Sequence, residues 1–304
     1  HRETGVDNCA DFSGKHWLHL TRIELSMRFP VAHVTFIKII KKEAPMNPVK
    51  LFCTACTLFI SLTLGADQHQ NEAPTLTSPM STQIQLCNLN PGKTLADYDK
   101  IIEKYFKWSE KHDVEVVFVR QTPLFSHADA NNPGYDFVEY LYSDYETSGN
   151  GWDKWLGTPD GQKLAVAWQD TAVCHVKMGS LYMQYRDPAI YTDNDRIVTQ
   201  NWCTRNEGVS PDQLIAKHQQ IAEAYPEGIS NIAWGILYPQ IGGAHAPGAF
   251  AHVNAYPDVA ALMARQAWYN NDEGWRAVRD YNVSYASCRG ESAFVEQVLH
   301  RPGS

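Results

Sequence analysis

An α+β chain made of two consecutive copies of one β-α-β-β-α-β unit is what this sequence predicts, and three observations carry that reading. Two cysteine pairs frame stretches of nearly equal length, Cys87 to Cys174 over 87 positions and Cys203 to Cys288 over 85. The landmarks inside each frame recur in the same order and at nearly the same spacing. Each copy alternates short β-branched or aromatic runs with amphipathic stripes of helical period.

Each copy opens with a strand, residues 82–89 and 197–204. A glycine follows the cysteine by five residues, at Gly92 and Gly208, and a helix N-cap comes two residues later. The caps are Thr94 with Asp97 and Ser210 with Gln213, with Pro211 at the first helical position, where its missing N–H is harmless. Tyr98, Ile101, Ile102 and Tyr105 form the apolar stripe of one helix; Leu214, His218, Ile221 and Tyr225 form that of the other.

A β run then leads to a proline in each copy, residues 114–121 to Pro123 and 232–238 to Pro239. A loop with His-Ala and Pro-Gly connects to the third strand, residues 136–142 and 249–255. A second helical region centres on Trp155 or Trp268, each followed six residues later by glycine, at Gly161 and Gly274. The last strand begins at Cys174 or Cys288.

This order is the ferredoxin-like split unit, in which the first and last strands lie side by side and antiparallel. The end of the first strand then meets the start of the last. The topology therefore predicts disulfides Cys87–Cys174 and Cys203–Cys288, out of the three pairings that four cysteines allow. By loop entropy each would contribute roughly 4 kcal/mol.

The segment ahead of the repeats reads differently. Residues 46–66 show a basic start at Lys50, an apolar run from Leu51 to Leu64 and a small residue, the pattern of a secretory signal. Residues 1–45 show no sustained period and read as an upstream segment that is non-native or disordered. Residues 67–80 read as a flexible linker, followed by repeats at 81–190 and 191–304. Leaving out residues 1–66 removes Cys9, Cys53 and Cys56, so four cysteines remain in a chain expected to be secreted or periplasmic. What remains carries 18 basic and 29 acidic residues, a net of −11, and no Lys/Arg cluster of the kind nucleic acid requires.

The doubled unit over residues 82–300 resembles the dimeric α/β-barrel superfamily, which includes antibiotic-biosynthesis-monooxygenase-like and NIPSNAP-like domains. The resemblance implies two ferredoxin-like units packed sheet to sheet around a cavity, a pseudo-dimer in one chain. Members of that superfamily include cofactor-free oxygenases, haem enzymes, isomerases and proteins without known activity, so the fold leaves the function open.

Strand alternation places Ile84, Leu86 and Trp202 toward the helices, and Gln83, Gln85, Thr199 and Asn201 toward the space between the sheets. Aligning Phe137 with Phe250 sets Glu139 against His252, an acid and a base if both reach one cavity. An edge salt bridge or a solvent-facing pair is the alternative. Phe118 and Trp234 align as cavity wall, and His127 and His245 as loop residues that either contact a ligand or only accompany a turn. His218, on a helix stripe, reads as a core histidine with a partner.

No HExxH, EF-hand, Walker, GxSxG or CxxC zinc pattern occurs after residue 66, and no metal is expected. The expected function is binding of a small organic ligand between the sheets, with acid–base or monooxygenase-like chemistry that uses no cofactor. A non-catalytic binding module and a haem-binding barrel are the rival readings. No nucleic acid and no membrane after signal cleavage are expected as partners, and the chain would be a monomer or a homo-oligomer.

Overall fold

The computed structural model describes residues 79–126, 134–224, 230–271 and 274–303. The expected signal at 46–66, the upstream segment 1–45, His127 and all but the last two residues of the linker lie outside the described residues.

The elements run β1 (Met80–Leu89), α1 (Leu95–Lys111), β2 (Val117–Phe125), β3 (Phe137–Ser143), α2 (Tyr145–Gly157), α3 (Pro159–Gln169) and β4 (Ala172–Arg186). After a short 3-10 turn at Pro188–Tyr191 come β5 (Asp195–Arg205), α4 (Pro211–Glu223), β6 (Ala233–Pro239), β7 (Phe250–Tyr256), α5 (Val259–Asn270), α6 (Gly274–Ser284) and β8 (Ala286–His300). Both N-terminal capping boxes form: Thr94 with Asp97 and Ser210 with Gln213 exchange side-chain and backbone hydrogen bonds.

The repeated glycines have physical reasons. Gly92 and Gly208 turn the chain out of β1 and β5 at φ of +79° and +81°, where other residues are strained. Gly161 and Gly274 begin the second helix of each pair against the preceding one. A Cβ there would lie 2.6 Å from the Trp155 carbonyl oxygen and 2.0 Å from that of Trp268. Each expected second helix is thus two, folded at that contact.

All eight strands form one closed antiparallel barrel in the order β1-β3-β2-β8-β5-β7-β6-β4. The expected α/β barrel is present, closed as one continuous sheet where two sheets packed on each other were expected. The reason lies in β4 and β8, each 15 residues long. The first part of β4, residues 172–181, pairs with β1, and its end, 179–186, runs on to pair with β6. Likewise β8 pairs with β5 and then, over 293–300, with β2. Such long strands leave no sheet edge unpaired.

Round the ring the local order β4-β1-β3-β2 is followed by β8-β5-β7-β6, so the same arrangement occurs twice. First and last strands of each set are neighbours, and Cys87 faces Cys174 as Cys203 faces Cys288. Both pairs are disulfides, with Cα atoms 4.1 and 4.0 Å apart.

The barrel interior corrects a second expectation. Ile84, Val119, Val138, Tyr140, Leu181 and Leu237 pack there, with Leu86 and Trp202 against them. Beside them Glu296 accepts from Gln121 and Arg196, each at 2.6 Å, and Gln200 donates to Gln121 and Tyr140. Residues sharing a strand face are grouped as alternation predicts, but the faces are exchanged. The large apolar side chains fill the closed lumen, where packing density rewards them. Gln83, Gln85, Thr199 and Asn201 instead lie beneath the helices, where polar partners exist: Trp152 donates to Gln83, and the Gly290 N–H donates to Asn201.

Candidate functional site

Among the described residues, two spaces between the barrel's outer wall and the helices that cover it are unequal. Beneath α1–α3, Tyr105, Trp108 and Trp155 stack and tilt on one another, with Tyr105 and Trp155 each 5.9 and 5.2 Å from Trp108 by ring centroid. With Phe106 and Phe118 they leave only about 70 Å³, bordered by Gln83 and Gln85. Beneath α4–α6 the cavity is about 890 Å³.

The difference follows from side-chain volume. Helix α1 has 17 residues and sends in Tyr105 and Trp108, whereas α4 has 13 and sends in Leu214, His218 and Ile221. Trp268, the counterpart of Trp155, is 36% exposed at the rim instead of filling the space.

The wall of the larger cavity carries a directed hydrogen-bond chain. The buried Trp234 indole N–H on β6 donates to Nδ1 of His252 on β7 at 3.1 Å. An imidazole that accepts at Nδ1 and is neutral holds its proton on Nε2. That nitrogen is 3.1 Å from the Tyr281 hydroxyl on α6, which lies 2.7 Å from Nε2 of His218 on α4. Burial lowers the His218 pKa to about 4, and burial together with His218 lowers that of His252 to about 3. His218 is only 2% exposed, whereas His252 keeps one side on the cavity. Both rings are neutral at pH 7, and the chain fixes Tyr281 in place.

Opposite polar groups come from β8 and α5. Glu291 accepts from Gln266 at 2.6 Å. Burial raises its pKa, against the opposing pull of Gln266, Arg265 and Thr199. Arg265 lies over the rings of Trp268 and Tyr269, at 4.3 and 4.5 Å from their centroids. The cavity therefore combines aromatic walls, neutral imidazole, a phenol, an amide-capped carboxyl and a cation. Such a set can orient a planar ligand and hold or move a proton at one of its atoms.

Of the residues singled out from sequence, Asn201, Trp234 and His252 line this cavity, and Gln85 and Phe118 border the small one. His245 is exposed on the β6–β7 loop and lies at neither, and His127 lies outside the described residues. Glu139 and His252 are not brought together. Glu139 sits beneath α1, fully buried, accepting from Tyr98 at 2.7 Å and from Arg120 at 3.0 Å. Burial pushes its pKa up to about 7, against the pull of Arg120, which also binds Asp99 at 2.6 Å.

Cys203, His252 and Cys288 place ligand-type atoms within 4.8 Å of one another, but both sulfurs are committed to a disulfide. Sequence reading missed Glu291, Gln266, Arg265 and Tyr281. The alternation of β8 past Cys288 could have revealed Glu291; the two helices read as one region hid the others.

The site therefore belongs to a closed eight-stranded barrel with a cavity of ligand size, lined by described residues, under the helices of its second half. No protein-family model matches the chain, and no curated protein matches it. Among solved structures it is similar to a candidate monooxygenase from Lactobacillus acidophilus, with 10% identity and a TM-score of 0.44 over 72% of this chain and 94% of that one. A candidate monooxygenase from Fusobacterium nucleatum shows 11% identity and a TM-score of 0.44 over 74% and 94%. A candidate chlorite dismutase shows 11% and 0.42 over 72% and 95%.

Proposed function

We propose that this protein binds a planar organic molecule in the cavity beneath α4–α6 and acts on it by acid–base chemistry that needs no cofactor. The observation that carries this is the inequality of the two spaces. One half fills its space with Tyr105, Trp108 and Trp155; the other leaves about 890 Å³, within the usual size of a ligand pocket, edged by His252, Tyr281 and Glu291. In this reading Glu291, whose pKa burial raises, takes a proton from the ligand. Tyr281, held by His252 and His218 with its one O–H directed along that chain, borders the ligand beside Glu291. In monooxygenase-like turnover the ionised ligand would itself give electrons to dioxygen, one oxygen atom entering the ligand and the other leaving as water.

The repeated strand order supports the wider reading, in which residues 81–190 and 191–304 are tandem ferredoxin-like units of one pseudo-dimeric barrel. The two disulfides suit an exported protein, and among the described residues no helix is long and apolar enough to cross a membrane.

Two rivals are separable. A non-catalytic binding module is favoured by the weak basicity of His252 and His218. A haem barrel has the room, but both ring nitrogens of His252, the one histidine among the described cavity-lining residues, are engaged by Trp234 and Tyr281. An axial bond there would break one of these contacts, which counts against haem held by His252. Tryptophan-fluorescence titration with naphthol tests the main reading. Saturable binding of one naphthol per chain, abolished by the space-filling Thr199→Trp, is expected; no binding, or binding that Thr199→Trp leaves intact, overturns it. Loss of activity on a turned-over ligand in Glu291→Gln, with binding kept, separates catalyst from module.

A further inference from the structure

Among the described residues two arginines are buried, Arg120 and Arg196, and the half-buried Arg265 is not treated as they are. Arg120, 5% exposed, has two carboxylates, Asp99 at 2.6 Å and Glu139 at 3.0 Å. Arg196, 8% exposed, has Glu296 at 2.6 Å. Arg265 is half-buried in the cavity wall, and no carboxylate among the described residues lies within ion-pair distance of it. A sequestered guanidinium is costly without an anion, and at its two buried arginines this chain supplies one.

The nearby acid does not fill the role. Glu291 attracts Arg265 but is not within ion-pair distance of it, and its carboxyl is tied to Gln266 at 2.6 Å. The stacking of Arg265 on Trp268 and Tyr269 occupies the face of the guanidinium, and the Tyr269 hydroxyl takes part of its N–H edge, so the remaining N–H groups are what a ligand anion would meet in plane. Lys217 and Arg279 add cations to the same wall, Arg279 being tied to Asp280 at 2.8 Å. This basic lining stands out in a chain of net charge −8.

We propose that the cavity selects a planar aromatic carboxylate and that Arg265 receives its carboxylate while the Trp268 and Tyr281 rings border the aromatic part. The inference rests on the ligand-site reading of this cavity, and deepens it by naming the class of ligand.

Naphthoate and naphthamide differ in charge at one group and share their ring and shape, so parallel fluorescence titrations isolate the carboxylate. Naphthoate is expected to bind at least about tenfold more tightly, a difference of about 1.4 kcal/mol, and to weaken as salt is raised. Arg265→Met should bring the two affinities together, Arg265→Lys should restore part of the preference, and unchanged thermal melting should show both variants folded. Equal binding of the two probes by the unmodified protein, or a preference that survives in Arg265→Met, overturns the inference and leaves the ligand-site reading standing. Failure of both probes to bind overturns both.

Discussion

The indole N–H of Trp234 donates to Nδ1 of His252 at 3.1 Å, and this one contact decides where the imidazole proton sits. It dictates the direction of the chain through Tyr281 to His218 and makes β6 and β7 part of the site. Replacing Trp234 by Phe keeps the ring and removes the donor. Nitrogen-detected NMR should then show His252 passing from an Nε2-protonated ring to a mixture of tautomers. An unchanged tautomer in Trp234→Phe contradicts the assignment.

His218 gives the chain an acid limit. Its pKa is about 4 when folded, against an ordinary 6.5, so the folded state resists a proton that the unfolded state takes. The stability this group contributes is present above pH 6.5 and is lost as pH falls toward 4, by roughly 3 kcal/mol at most. Urea denaturation at pH 7.5 and 4.5 should show a smaller acid loss in His218→Gln than in the unmodified protein. Identical losses would remove His218 from the account.

Glu139 runs the other way. Its folded pKa, about 7, exceeds the ordinary 4.5, so its favourable contribution is full below pH 4.5 and lost as pH rises through 7. Arg120 limits that loss. Arg120→Met should therefore cost about 3–5 kcal/mol at pH 8, where it strands a buried carboxylate, and clearly less at pH 5, where Glu139 can protonate. Equal costs at the two pH values, measured by chemical denaturation, would show the pair is not coupled in this way.

Much of the fold was legible in the sequence because its signals are local. The capping boxes and Gly92 and Gly208 depend on neighbours within a turn, the cysteine frame on a spacing that occurs twice, and all hold. Which way Gln85 and Asn201 point did not follow, because both faces of these strands are covered. Alternation sorts residues into two sets without saying which set meets the barrel lumen. Closure into one ring was equally hidden, since it depends on how far β4 and β8 run past Cys174 and Cys288. The pairing of Glu139 with His252 was sound as a register and misleading as a site: matching positions in two halves lie under different helices.

The inequality of the halves makes its own prediction about the paired tryptophans. Trp155 packs against Tyr105 and Trp108, while Trp268 is 36% exposed at the rim. Trp155→Ala should cost about 3 kcal/mol and Trp268→Ala under about 1 kcal/mol, with ligand affinity lowered only by the second. Equal costs would mean that the two spaces are packed alike.

The central claim is that one cavity, beneath α4–α6, is where this protein binds its ligand. Crystals soaked with bromonaphthol and measured at the bromine absorption edge test it most directly. The account predicts one anomalous peak per chain, between β5 and β7 on one side and α5 and α6 on the other, beside Trp268 and Tyr281. A peak inside the barrel lumen or beneath α1–α3, or no peak at all, would contradict it.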